Sequence, residues 1–259
     1  MPFDHLRELY RYRQLLWTIA WGDFKARYKN SVLGYFWSLL EPLLMLTVLY
    51  VVFTNLMKVQ VQYYQLFLLL GLIMWNFFTK ATNFGLNAII GKPSLVQKVY
   101  FPRDILVVAC CVTATLQSLF ESLVFIAFML FFRIPLSWNV LYLPYILIMY
   151  FILALGAALA LGALNVYYRD VQFIWAVIMQ AGFFITPIIY ELSIFPPQLQ
   201  AIFRLNPIAQ IIVTSRDCIL YSTPPYPLSL FYIGVTSIVI LIIGYVIFLK
   251  KEPSFAEEM

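Results

Sequence analysis

Apolar and polar positions alternate along this chain in long blocks. Six runs are almost wholly apolar: residues 32–57, 66–90, 105–132, 140–166, 171–190 and 228–249. Each is close to the roughly 20 residues that a helix needs to cross a bilayer. None shows the period-2 alternation of a membrane β-strand. The pattern therefore predicts an all-α integral membrane protein with six transmembrane helices, a single transmembrane domain over residues 1–259. Between the fourth and fifth runs only residues 167–170 intervene, which predicts a tight helical hairpin.

The connections carry more information than the spans. Ahead of the first run, Leu6, Leu9, Tyr10, Leu16, Trp17, Ala20 and Phe24 recur near helical spacing among basic residues, with Arg13 interrupting the stripe. A basic helix with Trp and Leu on one face lies in the membrane interface. Residues 1–30 hold no apolar core of a secretory signal, so none is expected. Residues 91–104, GKPSLVQKVYFPRD, form a basic and aromatic loop. Residues 191–227 contain two apolar stretches too short to span, 198–205 and 208–220, separated by Asn206-Pro207. Pro196-Pro197 and Pro224-Pro225 bracket them. Prolines bound helices, and short apolar helices of this kind are re-entrant or interfacial segments that dip into the outer leaflet.

Composition strengthens the class. Of 259 residues, 63% are hydrophobic and 11% charged, against roughly a quarter charged in a soluble domain. The net charge of +5 matters less than where the positive residues lie. With six spans, Arg7, Arg11, Arg13, Lys25, Arg27, Lys29, Lys92, Lys98, Arg103, Arg169, Lys250 and Lys251 share one side. Lys58, Arg133, Arg204 and Arg216 lie on the other. The bias places both termini in the cytoplasm.

Site chemistry of its own is sparse. Cys110, Cys111 and Cys218 have no ligand spacing, and the lone His5 has no companions, so no metal is expected. The stretch from Gly85 to Ser94 fails as a phosphate loop: five residues separate its glycines, and Pro93 follows Lys92. No HExxH, GxSxG or acidic cluster appears. Inside the spans stand Lys80 and Glu121, functional candidates by position. By helical rise they sit about 15 Å and 24 Å from the inner ends of their runs, so no direct pairing is expected unless the spans are offset. Aromatics make up 18% of the chain. Most suit an interfacial belt, while Tyr35, Trp37, Trp75, Phe78 and Tyr190 are candidates for lining a path past sugar faces. The cluster Lys25, Arg27 and Lys29 serves either as a topological anchor or as a landing site for an anionic lipid or lipid-linked diphosphate.

Four segments carry a resemblance: DFKARYKNSVLGYFWSLLEPL from Asp23, LVQKVYFPRD at 95–104, YYRD at 167–170, and LNPIAQIIVTSRDCILY at 205–221. In this order, across nearly the whole chain, they resemble the permease subunit of type-2 ABC exporters. The nearest likeness is to the polysaccharide-export branch that holds O-antigen, capsule and teichoic acid permeases.

The resemblance implies a homodimer around a central channel in the bacterial inner membrane, with two copies of a separate ATP-binding subunit. That partner would carry ATP and Mg, leaving this chain without a cofactor. The cargo would be a polyprenyl-diphosphate-linked glycan handled among membrane lipids, with no nucleic-acid partner. Coupling to the ATPase would fall to the interface helix (Arg7, Arg11), to Lys98, Tyr100, Phe101, Arg103 and Asp104, and secondarily to Tyr168, Arg169 and Asp170. The 191–227 segment would gate the exit, with Asn206, Pro207 and Arg216. A small-molecule exporter shares this architecture and stays open as an alternative. A polyprenyl-lipid transferase would need clustered acidic metal ligands, and a proton-coupled carrier more buried ionisable groups.

Overall fold

A computed structural model describes residues 11–29, 33–55, 61–98, 101–255 and 258. His5, Arg7 and Tyr100 lie outside them. The described residues form ten α-helices and no strand. These are α1 Arg13–Tyr28, α2 Trp37–Asn55, α3 Tyr64–Leu86, α4 Pro93–Lys98, α5 Asp104–Phe131, α6 Leu143–Tyr167, α7 Val171–Ile185, α8 Pro197–Arg204, α9 Pro207–Ile219 and α10 Pro227–Lys251.

Helix α3 is the axis of the fold. It is surrounded by protein, with 78% of its spanning window buried. Helices α5 and α6 pack on it most extensively. Small residues set how closely they approach. A Cβ on Gly85 would meet Ala158 at 2.5 Å, and one on Gly162 would meet the Gly85 carbonyl at 2.7 Å. Helices α6 and α10 touch backbone to backbone, because a Cβ on Gly244 would land on the Gly156 carbonyl oxygen. Membrane helices gain van der Waals contact this way, where lipid supplies no hydrophobic drive between them.

Helix α1 lies against α5, burying Ala20 and Phe24 and leaving Trp17 and Trp21 exposed. Thr113 in α5 donates to the Ala20 carbonyl at 3.2 Å. Contacts among α1, the 91–98 segment, the start of α5 and the end of α10 define one end of the bundle, the basic end. Helices α8 and α9 lie at the other, the far end.

Among the described residues, five helical segments are long and apolar enough to cross: Gly34–Thr54, Tyr64–Leu86, Asp104–Phe131, Trp138–Tyr167 and Pro227–Ser254. The fifth expected span, 171–190, is realised only in part. Helix α7 has 15 residues, about 22 Å of rise, short of the roughly 30 Å hydrocarbon layer. It stops because Thr186 is extended (ψ 137°) ahead of Pro187, and a residue before proline avoids the helical region. The turn from α6 into α7 is as short as expected, but the two helices separate beyond it, and Met179 is the buried residue of α7. Its Phe173, Ile174, Val177 and Phe184 are exposed, as are Leu44, Val48 and Val51 of α2. Helices α2 and α7 thus flank the buried α3 as two unpacked apolar faces.

Candidate functional site

At the basic end the expected coupling residues divide into two groups. Lys98, at the tip of the six-residue α4, is exposed, as are Tyr168, Arg169, Asp170 and Arg11. Phe101, Arg103 and Asp104 instead belong to an internal joint. The Arg103 amide donates to Glu252 Oε1 at 3.1 Å, and its guanidinium donates to the Glu252 carbonyl at 2.5 Å. Phe101 is buried, and Asp104 is buried in the first turn of α5, where a carboxylate favours the positive helix end. Phe255 closes the joint, wholly buried against Phe248 at 5.4 Å and Tyr167 at 6.3 Å. Neither Glu252 nor Phe255 was among the sequence candidates. The signal present was an acid and an aromatic straight after the basic Lys250-Lys251.

The basic cluster ahead of α2 also divides. Lys25 and Lys29 are exposed, with the Lys25 ammonium 5.4 Å over the Trp21 ring. Arg27 is exposed as well, but its guanidinium lies 3.4 Å over Phe84. It lines a cavity of about 420 Å³ with Asp23, Asn83, Asn87 and Lys92. Lys92 pairs there with Asp23 at 2.5 Å, tying the 91–98 segment to α1.

Deeper in the bundle, Lys80 and Glu121 do pair, at 2.6 Å, and Lys80 also reaches Glu41 of α2 at 3.3 Å. Level spans would keep them apart; they pair because the two helices are offset. Lys80 lies six residues, about 9 Å, from the end of α3, while Glu121 lies 17 residues, about 26 Å, from the start of α5. Pairing them sets the first turns of α5 roughly 17 Å beyond the end of α3, alongside α1. The three carboxylate and ammonium side chains differ in access: Glu121 is 1% exposed, Lys80 20% and Glu41 59%.

The aromatic candidates do not form one surface. Tyr35 and Trp37 are exposed at the start of α2, Tyr35 stacked on Phe24 at 5.5 Å. Trp75 and Phe78 are buried between helices: Trp75 meets Phe183 edge-on at 6.2 Å and Phe78 stacks on Tyr150 at 6.2 Å. Helical spacing placed them on α3, and α3 has no open face for them. Tyr190 is half-buried, its hydroxyl donating to the Phe184 and Ile185 carbonyls.

At the far end, Asn206 caps α9. Its Oδ1 accepts from the Ile208 amide at 3.0 Å, its amide donates to Thr186 Oγ1 at 3.1 Å, and Pro207 follows at the first helical position. Both choices favour a helix start. Arg216 is 2% exposed. It donates to the Pro187 carbonyl at 2.5 Å and to those of Phe67 and Ile188 at 2.9 Å, and lies 3.4 Å over the Phe67 ring. It fastens the break after α7 to the start of α3. Burial pulls its pKa down to about 9, which leaves it a cation at neutral pH. Gly71 makes room for it, since a Cβ there would strike the guanidinium.

A family model described as "ABC-2 type transporter" matches residues 14–220. The chain is 32% identical over 246 residues to the O-antigen export system permease protein RfbA of Klebsiella pneumoniae, with 94% of each chain covered. It is 30% identical over 258 residues to a protein of the same name from Myxococcus xanthus, 98% of each covered. To the polysialic acid transport protein KpsM of Escherichia coli it is 24% identical over 248 residues, covering 90% of this chain and 91% of the other.

Proposed function

We infer the function from the premise that this chain belongs to the ABC-2 type transporter family. We propose that it is the membrane permease subunit of a polysaccharide exporter. Its energy comes from a separate ATP-binding subunit that holds ATP and Mg. The observation that carries this reading is likeness to three polysaccharide-export permeases along nearly the full length of each.

The geometry supports how such a subunit works. Two copies face each other across the exposed sides of α2 and α7 and enclose the path. An exposed carboxylate within a span is costly against lipid, and such groups face water or protein. Glu41, 59% exposed about one turn into α2, marks that face as the wet one. Tyr35 and Trp37 stand at its mouth and meet the sugars. The basic end is cytoplasmic and docks the ATPase through Lys98, Tyr168, Arg169 and Asp170. Movement of α4 passes through the Lys92–Asp23 pair to α1, and from there to α2. Arg27 and the cavity it lines receive the diphosphate of a polyprenyl-linked glycan at the inner leaflet of the bacterial inner membrane.

Surface display of glycan in cells tests the reading. It should require both this chain and the ATPase gene, and Lys98→Glu with Arg169→Glu should abolish display while the permease still reaches the membrane. Normal display by the doubly reversed variant would overturn the docking assignment.

A further inference from the structure

The far end holds a cavity of about 220 Å³, lined by apolar and charged residues, beneath the break after α7. That is below the roughly 300–1,000 Å³ of pockets for drug-sized ligands, so it suits a single ring. Two carboxylates and two guanidiniums line it: Glu191, Asp217, Arg204 and Arg216. Half of this set is already committed. Glu191 accepts from the Tyr221 hydroxyl at 2.8 Å and from Ser193 Oγ at 3.0 Å. Arg216 is held by its three carbonyls.

Asp217 and Arg204 are different. Among the described residues, no hydrogen bond or ion pair ties either side chain. Asp217 is half-buried on α9, and Arg204 is exposed at the end of α8. Opposite charges that line one cavity without joining leave room for a group that bridges them. Burial pushes the Asp217 carboxyl up from its ordinary range, as a carboxylate lacking donors behaves. Its backbone carbonyl is occupied by the Thr223 amide and hydroxyl, so the segment carrying it is fixed. Tyr190 adds an apolar wall, its ring held by the hydroxyl bonds and by Phe195 and Phe203 edge-on at 5.3 and 6.3 Å.

We propose that this cavity binds one neutral pyranose unit of the glycan, with adjacent hydroxyls donating to Asp217 and accepting from Arg204. A sugar hydroxyl is both donor and acceptor and can satisfy both groups, and a ring C–H face packs on an aromatic wall. The lining charges cancel, so the cavity offers an acidic sugar no net positive charge and suits an uncharged one. The inference rests on the export reading, and it adds an outer subsite that holds the emerging chain against slipping back.

Saturation-transfer NMR on the full chain in nanodiscs tests it, with the methyl α-pyranosides of glucose, galactose and mannose as probes. At least one should bind saturably, and Asp217→Asn and Arg204→Gln should each weaken it by about tenfold, the scale of one charge-assisted hydrogen bond. N-acetylneuraminic acid should not compete. Arg204 is exposed, so its variant leaves the fold intact and keeps the test readable. Absence of saturable binding by all three probes, unchanged affinity in both variants, or equal competition by the acidic sugar would each overturn the subsite. Glycan export by the reconstituted pair is scored separately: its failure removes the export reading, whereas intact export without sugar binding removes the subsite alone.

Discussion

Two cations within the bundle, Arg216 buried and Lys80 partly buried, hold this molecule together in opposite ways. Arg216 sits at the far end among backbone carbonyls of two segments, Phe67 on one side and Pro187 with Ile188 on the other. Every acceptor is main chain, and all of them lie inside the packed body. Lys80 sits between side-chain carboxylates. Glu121 belongs to the packed α5 and is bound at 2.6 Å, whereas Glu41 belongs to the peripheral α2 and is reached at 3.3 Å. Breaking the Arg216 set means pulling backbone out of the core. Breaking the Lys80–Glu41 contact means only shifting a half-solvated side chain. The first is a fastening. The second is a tie that a moving helix can release while the Lys80–Glu121 pair stays intact.

The strongest way to break this comparison is to remove Arg216. Arg216→Ala leaves buried carbonyls short of donors and loses the ring contact with Phe67. Each buried carbonyl left unsatisfied costs about 1–3 kcal/mol. We expect little monodisperse protein by size-exclusion chromatography. Arg216→Lys should rescue poorly, because a compact ammonium cannot spread over three acceptors as the planar fork does.

Next in size is Lys80→Met, which strands the carboxylate of Glu121 in the core. Thermal unfolding should drop clearly, and Glu121→Gln in the same chain should recover most of the loss, since both charges then disappear together. Failure of the double variant to recover would mean that the pair is not the seat of the effect.

Smaller in stability, and sharper for mechanism, is Glu41→Gln. Its carboxylate is largely exposed, so the change in unfolding free energy should stay within about 1 kcal/mol, while the ATP-driven rate of glycan export should change. An unfolding shift as large as that of Lys80→Met would erase the distinction between tie and fastening.

The smallest effect is Asp217→Asn. Burial raises the folded-state pKa of this acid, so the folded state holds the proton more firmly than the unfolded state. Stability from this group is then greatest below the unfolded carboxylate pKa and declines as pH rises through the folded one. At neutral pH the uncharged amide should unfold at the same temperature or slightly higher, even as sugar binding falls. A clear drop in unfolding temperature would show that Asp217 has a structural partner.

What the chain revealed before folding follows the same division. Elements whose ends are written locally were legible. Proline pairs and Asn206-Pro207 placed the short far-end helices at 198–205 and 208–220, against Pro197–Arg204 and Pro207–Ile219 observed. Thr186-Pro187 was equally visible and does end α7, but an unbroken apolar run masked it. Contacts that depend on how helices slide past one another were not legible. The Lys80–Glu121 pair needs the offset between α3 and α5, a tertiary quantity that neither helix encodes alone. Arg103 and Glu252 meet across 149 positions, so a loop that reads as exposed and basic turned out to be half joint, half surface. Arg216 read as part of a gate only through the resemblance of the outer segment. Its acceptors are carbonyls, which every residue has, so no side-chain pattern could announce them.

The central claim is that this chain forms the passage and another subunit supplies the energy. Proteoliposomes carrying this permease, with or without its ATP-binding partner, test it most directly through the transfer of a labelled lipid-linked glycan across the bilayer. The account predicts ATP-dependent transfer with both subunits and none with either alone. Transfer by this chain alone, or none by the assembled pair while it hydrolyses ATP, would contradict it.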